Sequence, residues 1–149
     1  MYKEIVLQKI EISDYQTLIN LPFDSWAPEL FLDNHSFFIL DNTTKEIVGL
    51  VSIIPYDTHI KLKLLEIFKQ YRQNGYGTAI IKYLIDLLNI SKKNKIIWTS
   101  AEGSEKFYYK MQLKFYTYYK NLNLSFISNH HFDERLNQLI VSFVIKKES

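Results

Sequence analysis

Tyr71-Arg72-Gln73-Asn74-Gly75-Tyr76-Gly77-Thr78 stands between an apolar run, Leu64 to Phe68, and a strongly periodic stretch, Ala79 to Leu88. Two glycines two apart at the start of a helix let the backbone turn tightly and bring its N–H groups close to a ligand. The helix start adds unpaired donors and a partial positive charge, and Arg72 adds a formal one. Together these make an anion site. The stretch lacks the Gly-Lys-Ser/Thr ending of a nucleoside-triphosphate loop. It also lacks the third glycine and the distant acidic residue of a dinucleotide fingerprint.

Working outward, His59 to Phe68 reads as a strand whose pattern slips. Apolar residues fall at Ile60, Leu62 and Leu64, then at Leu65 and Ile67. One inserted residue has this effect, so a β-bulge is expected near Leu64–Glu66. After the glycine turn, Ile80, Ile81, Leu84, Ile85, Leu87 and Leu88 form one broad helical stripe. Lys95 to Ser100 follows as a strand. A strand, a helix and a strand in this order imply a parallel crossover.

Upstream, Ile5 to Ile10 reads as a strand and Ser13–Gln16 as a capping box opening a short helix. Phe23 to Asn34 reads as a second broken helix. Ser36–Leu40 and Glu46–Ile54, joined by Asp41-Asn42-Thr43-Thr44-Lys45, form a hairpin. Downstream, Ser104 is placed to cap a helix reaching about Met111. Phe115–Phe126 and Leu139–Ile145 read as the last strands, joined by a loop over Asn129–Gln138.

The bulk numbers narrow the classes. A chain of 149 residues is expected to be one domain, residues 1–149. A net charge of +2 offers nucleic acid no special attraction. With no cysteine there is no thiolate nucleophile or zinc–thiolate cluster, and a reducing, cytoplasmic setting is expected. No apolar window is long enough for a membrane helix, and Met1–Ile10 has no signal-peptide core. His130-His131-x-Asp133-Glu134 is no metal site on this reading, because adjacent residues of an extended chain point apart.

The glycine turn resembles the Arg/Gln-x-x-Gly-x-Gly/Ala turn of the GNAT superfamily of N-acetyltransferases. Ser104-Glu105-Lys106-Phe107-Tyr108-Tyr109-Lys110-Met111-Gln112-Leu113 is similar to that family's second signature, Ala-x-x-Phe-Tyr-x-Lys-x-Gly-Phe. It departs at Gln112, in place of glycine, at Leu113, in place of an aromatic residue, and at Ala101, where an asparagine is usual. The resemblance spans about residues 36 to 116. It implies an α/β GNAT fold, with a central mixed, mostly antiparallel sheet of six to seven strands flanked by about four helices.

It also implies acetyl-CoA as co-substrate and direct transfer of the acetyl group to a primary amine of a small molecule or peptide. Arg72, Gln73, Asn74, Gly75, Tyr76, Gly77 and Thr78 would hold the pyrophosphate. The backbone of Ile67 and Phe68 would meet the acetyl and pantetheine groups, and Lys110, with Lys106, the 3′-phosphate. Tyr108 matches the tyrosine that protonates the leaving thiolate.

For the general base, Glu66 is the carboxylate on the central strand; it is also placed to pair with Lys61 or Lys63. Glu102, His59, His130 and His131 are alternatives. An acceptor site is expected from Pro22–His35, Tyr116–Tyr119 and Asn129–Gln138, and the family's frequent dimers suggest a homodimer. The departures at Ala101 and Gln112 keep a second reading open, a non-catalytic CoA-binding regulatory domain.

Overall fold

The computed structural model describes residues 3–24, 26–100 and 103–148. Seven strands hydrogen-bond in the order β1-β2-β3-β4-β5-β7-β6. They are β1 (Ile5–Lys9), β2 (Ser36–Asp41), β3 (Ile47–Pro55), β4 (His59–Ile67), β5 (Lys95–Thr99), β6 (Leu124–Asp133) and β7 (Gln138–Lys147). The helices are α1 (Tyr15–Ile19), α2 (Tyr76–Ile90), α3 (Glu105–Lys114) and α4 (Tyr116–Asn121). β4 and β5 run parallel, pairing over His59–Lys61 and Lys95–Ile97. β1–β2, β2–β3, β5–β7 and β6–β7 are antiparallel. The crossover expected from the glycine turn is therefore present.

Chain contacts define two compact units, Met1–Ile54 with Leu62–Ile80, and Pro55–Lys61 with Ile81–Ser149. The first is built on Ile10, Leu18, Phe31, Phe38, Leu50, Leu64 and Phe68, all buried in one cluster. Phe23 closes it, its ring 5.6 Å from Phe31 and 5.9 Å from Phe68. The second centres on Trp98, Tyr108, Phe126 and Phe143, where Trp98 stacks on Phe143 at 5.6 Å. Tyr108 lies 5.3 Å from Trp98 and 5.1 Å from Phe143.

In β4 the buried positions are Ile60, Leu62, Leu64 and Glu66, alternate residues of the strand. Ser36 pairs with Ser52 and Phe38 with Leu50, so these four share one face of the sheet. Lys63 reaches Asp33, which accepts hydrogen bonds from Ser36 and Ser52, while Leu64 packs with Phe38 and Leu50. A register shift lies in β3. Ile39 pairs with Gly49 but Leu40 with Ile47, leaving Val48 as the extra residue. Its carbonyl accepts the Phe68 N–H at 2.9 Å, tying the end of β4 to the hairpin.

Several local expectations change. The N-terminal box is made by Asp14, whose carboxylate accepts the Glu11 N–H at 2.8 Å, and not by Ser13 and Gln16. Within Phe23–Asn34 the only helical turn among the described residues is 3₁₀, Pro28–Phe31. The run read as a strand from Phe115 holds α4, because Phe115 and Tyr119, four apart, bury one helical face. The expected Asn129–Gln138 loop is mostly strand, with His131 opposite Ile140 and Asp133 opposite Gln138. Asp133 instead closes the hairpin, accepting from the N–H groups of Arg135 and Leu136. Ala101 and Glu102, with the missing asparagine contact and the alternative base, lie outside the described residues.

Candidate active site

Glu66, Ile67, Phe68 and Arg72 to Thr78 all belong to the first unit. The turn is built from left-handed backbone: Gln73 has φ 63° and Gly75 φ 91°. Gly75 stands just before α2, and its carbonyl accepts the Ala79 N–H at 3.0 Å. The N–H groups of Tyr76, Gly77 and Thr78 therefore open a 15-residue helix and have no carbonyl four residues back within it. They form the donor set an anion needs, backed by the positive end of the helix dipole.

Two tyrosines pin this turn to the β2–β3 hairpin. Tyr76 donates its hydroxyl to Asp41 at 2.6 Å, and Tyr71 donates to Glu46 at 2.9 Å. Their rings meet edge-on at 6.1 Å. Asp41 also accepts the N–H groups of Thr43 and Thr44. Read as a turn residue and as the start of a strand, Asp41 and Glu46 carried no sign of this second task.

At the end of β4 the groups are more committed than the sequence suggests. Phe68 is core, its N–H is given to Val48 and its carbonyl accepts from Tyr71. The Ile67 carbonyl accepts Arg72 Nε at 2.8 Å. Arg72 also pairs with Asp24 at 3.2 Å. Glu66 is 3% exposed, and its carboxylate accepts the Asp24 N–H at 2.8 Å. Lys63 turns to Asp33 at 3.2 Å. Gly49 makes the arrangement possible, since a Cβ there would stand 2.2 Å from the Glu66 carbonyl oxygen and 3.0 Å from Ile67 Cα.

The sequence profile of the acetyltransferase (GNAT) family matches residues 6–112. The chain belongs to that family. Acetyl-CoA is the co-substrate of GNAT enzymes. Among solved structures, the fold is similar to spermidine N-acetyltransferase from Vibrio cholerae in complex with CoA and spermine, at 18% identity and TM-score 0.65. That likeness covers 96% of this chain and 95% of the other. Diaminobutyrate acetyltransferase EctA from Paenibacillus lautus, in complex with L-2,4-diaminobutyric acid and coenzyme A, gives 16% and 0.63 over 97% and 95%. Ard1 from Thermoplasma volcanium gives 11% and 0.62 over 97% and 99%. At these identities the likeness establishes the GNAT fold. No match is found among curated protein sequences.

In this GNAT chain the second signature lies on α3, in the other unit. Tyr108 is buried, and burial pushes its phenol up to about 12. It is thus neutral at physiological pH. Lys106 and Lys110 are exposed, one turn apart. Gln112, where the family has glycine, donates its side-chain amide to the Phe126 carbonyl at 2.7 Å and ties α3 to β6. Leu113 is 77% exposed. Tyr109 contacts His130 at 2.5 Å.

Two carboxylates make the first unit acid-sensitive. Burial opposes ionisation of Asp33, but Ser36, the His35 N–H, Lys63 and Ser52 outweigh it and lower its pKa to about 2. Asp41 is lowered to about 2 by the Tyr76 hydroxyl and the Thr44 and Thr43 N–H groups. A carboxyl group more acidic folded than unfolded contributes stability above its unfolded value and loses it as pH falls through the folded one. Thermal unfolding followed by circular dichroism should therefore show Tm falling steeply between pH 4 and pH 2. Asp33→Asn should lower Tm at pH 7 by roughly 5 °C and flatten that fall.

Proposed function

We propose that this chain, acting as one domain over residues 1–149, transfers the acetyl group of acetyl-CoA directly to a primary amine of a small molecule or peptide. The observation that carries the proposal is the left-handed turn at Gln73 and Gly75, which opens α2 with three consecutive donors in a chain that belongs to the GNAT family. Acetyl-CoA supplies an activated thioester. The N–H groups from Gln73 to Thr78 hold its pyrophosphate, Arg72 adds charge, and Lys110 serves the 3′-phosphate. The end of β4 at Ile67 and Phe68 lines the path of the pantetheine arm.

Glu66 takes the proton from the attacking ammonium, directly or through a water. The nitrogen then attacks the thioester carbon, the C–S bond breaks, the departing sulfur receives a proton from Tyr108, and the second proton of the nitrogen, lost as the amide forms, returns through water to the phenolate. A phenol at about 12 is a weaker acid than a thiol. Tyr108 therefore serves first as a hydrogen-bond donor to the developing thiolate, and completes the transfer as its phenolate is reprotonated. A cytoplasmic setting and a homodimer complete the proposal, the latter open to sedimentation analysis. Among the described residues no helix is long and apolar enough to cross a membrane.

The test pairs binding with turnover. Isothermal titration with CoA should give micromolar affinity, and an amine panel with acetyl-CoA should give thiol release. Tyr108→Phe should lower turnover about 100-fold, the low end of general acid catalysis, with CoA affinity kept within twofold. Undiminished turnover would remove the proton-donor role. CoA binding without thiol release from any amine would favour the regulatory domain.

A further inference from the structure

Resting on the CoA-binding reading, we infer that Asp24 is a positioning residue that competes with the cofactor pyrophosphate for Arg72. The Arg72 guanidinium is held at two points, by the Ile67 carbonyl at 2.8 Å and the Asp24 carboxylate at 3.2 Å. In the free protein its charge is thus balanced before any anion arrives. An incoming pyrophosphate meets the neutral N–H groups of the turn and must draw the guanidinium away from Asp24. Asp24 is also the residue whose N–H holds Glu66 at 2.8 Å. One short segment therefore touches both the arginine of the cofactor turn and the carboxylate proposed as base. Cofactor binding that removes Arg72 loosens this segment on the Glu66 side.

The pair is half exposed, with side-chain exposures of 42% for Arg72 and 53% for Asp24. Exposed ion pairs are modest in strength, so removing the competitor should tighten CoA binding by roughly two- to fivefold. The experiment is a double-mutant cycle on the intact chain, read by isothermal titration with CoA at low salt. Asp24→Ala should bind CoA more tightly, Asp24→Glu should restore wild-type affinity, and Arg72→Ala should bind more weakly. Asp24→Ala should have no further effect in the Arg72→Ala background. In wild-type protein, amide exchange at Asp24 should accelerate several-fold when CoA is added.

Wild-type protein that binds CoA, with Asp24→Ala binding no tighter or tightening equally without Arg72, overturns the role of Asp24 and leaves the cofactor site standing. Unchanged exchange at Asp24 in the CoA-bound protein does the same. Wild-type protein that fails to bind CoA at millimolar concentration instead removes the cofactor site itself, and this role with it.

Discussion

Gly75→Asp should reduce CoA affinity at least 100-fold while the protein stays folded. Gly75 holds φ 91°, where a side chain meets the following carbonyl at a cost of about 1–2 kcal/mol. The new carboxylate also sits at the start of α2, among the donors that would receive the pyrophosphate. It would satisfy those N–H groups itself and repel the ligand. A hundredfold loss corresponds to about 2.7 kcal/mol, which repulsion and the loss of charge-assisted hydrogen bonds together reach, while the backbone strain lowers stability. Titration with CoA reads the affinity, and circular dichroism confirms the fold. Wild-type affinity in this variant would mean that the turn serves only to start the helix.

Gly49→Val should strongly destabilise the first unit. The atoms a Cβ would meet, the Glu66 carbonyl oxygen at 2.2 Å and Ile67 Cα at 3.0 Å, are both backbone and cannot rotate away. Strand β4 would have to move off β3, breaking the Phe68 N–H bond to Val48 and displacing Glu66 and Ile67 together. Forced overpacking costs about 1–3 kcal/mol even where side chains can adjust. About 3 kcal/mol lowers Tm by roughly 6–12 °C in a chain of this size. Gly49→Ala should show a smaller version of the same loss. In a variant that remains folded, CoA affinity should fall as well, because the strand end proposed for the pantetheine arm has moved.

Much of this was legible locally. The glycine turn, the α2 stripe, the parallel crossover and the second signature depend on residues close in sequence, whose periodicity and backbone preferences act within one element. The misreadings came where intrinsic preference and tertiary packing disagreed. Phe115-Tyr116-Thr117-Tyr118-Tyr119 has strong β propensity, but Tyr118 donates to Asp86 on α2 and Lys82 lies 5.0 Å from its ring centroid. That anchorage, with Phe115 and Tyr119 buried, holds the segment as a helix. The Asn129–Gln138 segment is polar enough to pass for a loop, yet pairing with β7 satisfies its backbone through Asp133.

By itself the sequence determined that the chain opens a helix on a two-glycine turn after a central strand, and that a Phe-Tyr signature follows at family spacing. Those are properties of neighbouring residues. Only the tertiary structure decided that Asp41 and Glu46 pin the turn, that Gly49 clears the path of β4, and that Asp24 links Arg72 to Glu66. Each of these contacts joins residues about 17 to 48 positions apart. Their chemistry becomes readable only once folding has brought the partners within hydrogen-bonding distance.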